Sequence, residues 1–181
     1  SQDVETDDSV LRQTSARLPW LLIGMLGGIG NSMILGNFDN LFARFPEMAL
    51  YIPLIGGTGG NVGTQSSALV VQGLANSSLD AGNTWKQLIK ESVVALINAT
   101  IISMLVYIYN FIRFGPAATV SYSVSLSLFA VVMFASLFGT LVPMTLEKCK
   151  IDPAIATGPF ISITNDIIGM MMYMGITVLR S

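Results

Sequence analysis

No charged residue occurs for 21, 32, 21 and 33 consecutive positions between Arg17 and Asp39, Glu47 and Asp80, Glu91 and Arg113, and Arg113 and Glu147. A fifth stretch of 27 residues, from Asp152 to Arg180, is interrupted only by Asp166. A helix crossing the hydrocarbon of a bilayer needs roughly 20 apolar residues, so each stretch suits one crossing and is too short for two with a turn between them. Strands of a membrane barrel would alternate apolar and polar residues over about ten positions; runs such as Leu18-Pro19-Trp20-Leu21-Leu22-Ile23 do not. The expectation is an all-α membrane protein with five transmembrane helices, at approximately 18–38, 47–75, 88–111, 119–146 and 153–179, behind a polar, acidic lead-in at 1–17.

Composition agrees. Of 181 residues, 52% are apolar and 11% charged, with a mean hydropathy of +0.65, whereas soluble domains carry about 25% charge. Histidine is absent and Cys149 is the one cysteine, which removes histidine-based triads, haem and zinc sites and any disulfide within the chain. Cys149, between Lys148 and Lys150, reads as an inert thiol at a membrane edge. A net charge of −2 provides no basic field for nucleic acid. Ser1 to Ser9 is acidic and polar where a cleavable signal would be basic and then apolar, so the chain is expected to begin partway through a larger protein.

Lysine and arginine concentrate on the cytoplasmic side of membrane proteins. With the N-terminus inside, Arg12, Arg17, Lys86, Lys90, Lys148 and Lys150 are cytoplasmic, against Arg44, Arg113 and Arg180 outside. The expected placement is the cell's inner (plasma) membrane, N-terminus in and C-terminus out. Five spans cannot divide into two equal inverted halves, so any two-fold site would come from dimerisation.

Asp166 is 13 uncharged residues from Asp152 and 14 positions before Arg180, near the bilayer midplane of a helix covering that stretch. A central aspartate costs about 2.5 to 3.5 kcal/mol to insert and almost always faces a bundle interior or a wet path. Gly158, Ser162, Asn165, Asp166, Gly169 and Tyr173 recur at spacings of three and four, along one side of a helix. Pro159 has no amide hydrogen and can leave a carbonyl of the preceding turn free.

In the second span, Gly56, Gly57, Gly59, Gly60 and Gly63 occupy five of eight positions. Each costs a helix up to about 1 kcal/mol relative to alanine, so a broken or very closely packed helix is expected. Asn61, Thr64 and Gln65 add amide and hydroxyl groups on nearly one face. Lesser polar residues are Asn31 and Asn98, read as inter-helix hydrogen-bonders, and Glu91, read as a carboxylate at the start of the third helix, favoured there by the helix dipole.

Two Asp166 carboxylates sharing an axial site would match the charge of a divalent cation. Carboxylate, carbonyl, hydroxyl, amide and water ligands suit a hard ion such as Mg2+, Ca2+ or Mn2+. Mg2+ keeps several of its waters, so one carboxylate per subunit could hold it through its hydration shell.

Gly60-Asn61-Val62-Gly63-Thr64-Gln65 within Pro53 to Gln65, Asp152-Pro153-Ala154, Gly158-Pro159 through Thr164-Asn165-Asp166, and the entry Ala16-Arg17-Leu18-Pro19-Trp20-Leu21-Leu22 together resemble the membrane domain of the MgtE magnesium channels. The resemblance covers the chain beyond the lead-in. It implies a homodimer of five-helix subunits with an ion path on the two-fold axis. It also implies Asp166 as the ion-site carboxylate, helped by the carbonyl of Ser162, with Gly60 to Gln65 near the path. Gly60, Asn61, Gly63, Thr64, Gln65, Gly158, Pro159 and Asn165 are accordingly the expected pore-lining residues. The cytoplasmic N-domain, CBS pair and long connecting helix of that family, which sense internal Mg2+, have no counterpart in this chain, so a fragment that conducts without most feedback control is expected.

The leading reading is a Mg2+ channel domain passing a largely hydrated ion, with Mn2+, Co2+ and Ca2+ left open by the donor set. The alternatives are a proton- or Na+-coupled carrier, in which Asp166 would change protonation, and a non-transporting assembly domain whose aspartate bridges helices. An enzyme is not expected: an intramembrane protease would need two deep carboxylates, and Asp166 stands alone.

Overall fold

The computed structural model describes residues 4–116 and 118–180, with only the backbone of Ala81, Ala156 and Thr157; the first three residues of the lead-in lie outside it. Among the described residues every regular element is helical. The long helices are α1 (Val10–Gly36), α3 (Ile52–Ala75), α4 (Thr84–Phe114), α5 (Thr119–Lys148) and α6 (Pro159–Arg180), with a short α2 (Asp39–Arg44) between the first two.

Their boundaries follow local chemistry. The Ser9 side chain caps α1 by accepting from the Arg12 amide at 3.2 Å, so α1 starts eight residues before the expected span and takes up half of the lead-in. Asp39 in the first turn and Arg44 in the last complement the dipole of α2. A 3-10 segment, Pro46–Tyr51, then enters α3, so the α-helix begins at Ile52 and not at Glu47. Another 3-10 segment, Pro153–Thr157, precedes α6; the Asp152 carboxylate accepts from the Ala154 amide at 3.1 Å to start it.

Among the described residues four helices, α1, α4, α5 and α6, are long and apolar enough to cross a membrane. The fifth long helix, α3, falls short of the others in hydropathy because its glycines and its Asn, Thr, Gln and Ser residues dilute the apolar ones. Its glycine run does not break it. α3 is continuous from Ile52 to Ala75, which leaves close packing as the outcome of the two expected.

α5 is the central element. It packs against α3, α4 and α6, while α1 packs on α6. Fifteen of its thirty residues are buried, whereas α1 has none. Lipid tails are as apolar as leucine, so association in a bilayer depends on close packing and interhelical hydrogen bonds more than on exclusion of water. Small residues provide that closeness. A Cβ at Gly139 on α5 would stand 2.6 Å from the carbonyl oxygen of Gly63 on α3, and a Cβ at Gly59 would stand 2.8 Å from Val131.

One end of the bundle is closed by Met48 and Tyr51, which join Ile55, Val124, Leu128, Met170, Tyr173 and Met174 in a continuous apolar cluster. The Tyr173 hydroxyl donates to the Met48 carbonyl at 2.9 Å, tying α6 to the segment before α3. The outer faces of α1 and α4 expose leucine, isoleucine, valine and methionine throughout, a surface suited to acyl chains.

Candidate functional site

α3 and α6 cross so that a groove of about 430 Å3 opens between them. On α3 it is lined by Gly56, Gly57, Gly60, Asn61, Thr64 and Gln65, and on α6 by Ser162 and Asp166. Both sets obey helical spacing: 56, 60 and 64 beside 57, 61 and 65 on one wall, 162 and 166 on the other. Asn61, Thr64, Gln65 and Ser162 are exposed and Asp166 is half-buried, so the carboxylate stands in the wall of an open cleft.

Gly56 is what lets it lie there. A Cβ at position 56 would be 2.9 Å from Asp166 Oδ1, and only hydrogen leaves room for the carboxylate against the α3 backbone. Gly57 and Gly60, by contrast, face open space. Asp166 is the eighth of the 22 residues of α6, because the residues before Pro159 form a 3-10 segment and not the first turns of a longer α-helix.

Six of the ten expected site residues meet in this groove: Gly60, Asn61, Thr64, Gln65, Ser162 and Asp166. The other four do not line it. Gly63 is buried on the opposite face of α3, where an added Cβ would collide with the Asn165 side-chain amide and touch Ile161. Asn165 is 1% exposed, and neither of its side-chain polar atoms has a hydrogen-bond partner among the described residues. A residue 100° around the helix from Asp166 faces the packed interior when Asp166 faces the groove. Gly158 and Pro159 sit at the entry of α6, about one turn before Ser162. The stripe read from Gly158 to Tyr173 therefore divides, Ser162 and Asp166 to the groove, Asn165, Gly169 and Tyr173 to the core.

Gly56 and Gly57 belong to the groove without having been assigned to it from sequence. Their signal was the spacing of four that continues from Gly60 and Asn61 back along the helix. Glu91 also differs from its reading. α4 begins at Thr84, so Glu91 is two turns inside the helix and accepts a 2.7 Å hydrogen bond from the Ser66 hydroxyl of α3.

Among the described residues no group of three or more His, Cys, Asp or Glu side chains stands together. One carboxylate among hydroxyl, amide and backbone oxygen donors is not a dehydrating cage. It can accept hydrogen bonds from the waters of a hydrated cation. Six waters occupy about 180 Å3 at roughly 30 Å3 each, less than the groove's volume.

Residues 52–176 match the sequence profile of MgtE, described as a divalent cation transporter. The chain belongs to the MgtE family. That match runs from the first residue of α3 through most of α6 and contains the whole groove. Over 175 residues the chain is 31% identical to the magnesium transporter MgtE of Bacillus subtilis, covering 97% of this chain and 39% of the relative. It is 28% identical over 172 residues to that of Enterococcus faecalis (95% and 38%) and 31% identical over 161 residues to that of Thermus thermophilus (89% and 35%). The chain thus spans under two fifths of the length of these MgtE relatives, which are transporters and not enzymes.

Proposed function

We propose that this chain is a Mg2+-conducting membrane domain in which a largely hydrated ion passes along the α3–α6 groove and is selected by Asp166. The observation that carries the reading is that the groove's sole carboxylate stands among neutral oxygen donors, against a glycine that keeps it exposed to the cleft. Mg2+ surrenders its waters reluctantly, and an outer-sphere carboxylate binds it without demanding that it do so. The magnesium transporters among the relatives support this ion over other hard divalent cations.

The groove is one-sided, and one carboxylate balances half of a divalent charge. A homodimer with its two-fold axis along the groove would supply the second Asp166 and close the path, placing Ser162, Asn61, Thr64 and Gln65 of both subunits around the ion. In this arrangement α3 is the fifth crossing: its polar face lines the path and its buried glycines pack on α5 and α6, so its low hydropathy is what a pore helix requires. Gly63 and Asn165 then act behind the path, fixing α3 on α6. The lysine and arginine distribution supports a cytoplasmic N-terminus in the plasma membrane.

The test is dye-reported Mg2+ entry into liposomes carrying the chain, beside Asp166→Asn, with no other ion gradient. Flux in the parent and its loss in the variant are expected. Flux only under an imposed proton or Na+ gradient would replace the channel by a coupled carrier. Equal flux in both proteins would put the path elsewhere, and none in either would leave an assembly domain.

A further inference from the structure

A second groove, of about 420 Å3, follows the seam of α4 and α5, lined by Trp85, Leu88 and Ile89 on one side and Phe134, Phe138 and Leu141 on the other. Its one hydroxyl, Ser92, already donates to the Leu88 carbonyl at 2.7 Å, so beyond the Trp85 indole at its end the cleft is lined by apolar side chains. Phe134 and Phe138 stack at 5.3 Å, and Phe138 continues onto Phe160 of α6 at 6.2 Å, giving the groove a fixed aromatic base.

One end of this groove is basic and amphipathic. Trp85 is 75% exposed in the first turn of α4, where an indole would sit at headgroup level. On α5, Phe134, Phe138, Leu141 and Lys148 fall within an arc of about 80°, with Lys148 about 10 Å beyond Leu141 at the last residue of the helix. Lys148 is exposed, as is Lys86 beside Trp85, while Glu147 lies on another face of α5.

We propose that this groove binds one acyl chain of an anionic phospholipid, whose phosphate is held at Lys148 with Lys86 and the Trp85 indole N–H completing the headgroup site. The apolar cleft and the charge at its end specify the two halves of one amphipathic ligand. A second copy docking through the same face in a two-fold manner would bring the lysines together, whereas a phosphate neutralises them.

Native mass spectrometry of the protein released from detergent containing equal phosphatidylglycerol and phosphatidylcholine tests this. The parent is expected to retain phosphatidylglycerol in preference to phosphatidylcholine. Lys148→Gln should lower that preference about fivefold, one juxtamembrane lysine's worth, while still carrying lipid. Ile89→Trp, which fills the cleft, should lose both lipids at an unchanged unfolding temperature. Equal retention of the two lipids by the parent, an unaltered preference in Lys148→Gln, or undiminished binding in Ile89→Trp would each overturn the proposal. So would a lipid-free parent dimer that Ile89→Trp splits, which would make the groove a contact between copies.

Discussion

Gly56 and Gly57 are neighbours on α3 with opposite surroundings: a Cβ at Gly56 meets the Asp166 carboxylate, and a Cβ at Gly57 meets nothing within 4 Å. The end of an aspartate side chain can rotate where backbone cannot, so Gly56→Ala should leave the fold intact and turn the carboxylate out of its seat. A hydrogen bond to a charged group contributes about 1.5 to 3 kcal/mol. Losing one from the hydrated ion corresponds to about a tenfold fall in ion affinity or more. Gly57→Ala, whose methyl group would stand in the open cleft clear of the carboxylate, should keep the parent's Mg2+ affinity and gain up to about 1 kcal/mol of helix stability. Calorimetric Mg2+ titration and liposome flux of the pair check this; equal behaviour of the two would separate Asp166 from the ion.

The contact between Gly63 and Gly139 leads to a different outcome for the same kind of change. A methyl group at 139 would approach the Gly63 carbonyl oxygen at 2.6 Å and its Cα at 3.2 Å, and neither can move without separating α3 from α5. Overpacking of this kind costs about 1 to 3 kcal/mol. Gly139→Ala should therefore lower the unfolding temperature in detergent, while Gly24→Ala, in open space on α1, should not.

These glycines show how far the sequence could be read. The gaps between charges coincide with all five long helices, four of which are long and apolar enough to cross a membrane. What the gaps could not give was which face of a helix meets protein. Gly56 to Gly63 read as a single biased run, yet Gly59 and Gly63 fill contacts on α5 and α6 while Gly57 and Gly60 open onto the groove. Asp166 and Asn165 are adjacent in sequence and were given to one wet stripe, but one helical step separates cleft from core. Ser121, Ser123, Ser125 and Ser127 lie in an uncharged, apolar stretch with no spacing that marks one helix face. They are all buried, because α5 is surrounded by three helices, a fact of tertiary arrangement with no local signature. The helix ends moved for a local reason: Pro46 and Pro153 each initiate a 3-10 segment where the charge pattern alone would begin an α-helix.

Tyr173 and Met48 make a buried hydrogen bond that joins α6 to the segment before α3, and both residues are fully buried. Tyr173→Phe keeps the ring and removes this bond, while the Met48 carbonyl keeps its place in the 3-10 segment. A typical intramolecular hydrogen bond contributes about 0.5 to 1.5 kcal/mol net. The variant should unfold earlier in detergent by that amount with Mg2+ affinity at Asp166 unchanged, since the bond lies in the apolar cluster and not in the groove.

The bond from Ser66 to Glu91 links α3 to α4 on the side of α3 away from the groove residues Thr64 and Gln65. Hydrogen bonds between membrane helices contribute on average about 0.6 kcal/mol, with a maximum near 1.7. Glu91→Gln retains an oxygen that can accept from Ser66 and should be close to the parent in stability. Glu91→Ala removes the acceptor and should lose up to about that maximum. Ser66 can then turn to a carbonyl of its own helix, as Ser67 does to the Thr64 carbonyl at 3.2 Å, which holds the loss near the lower figure. Measuring the single variants together with Ser66→Ala as a double-mutant cycle isolates the pairwise contribution. A coupling of zero would mean that α3 is held against α4 by packing alone.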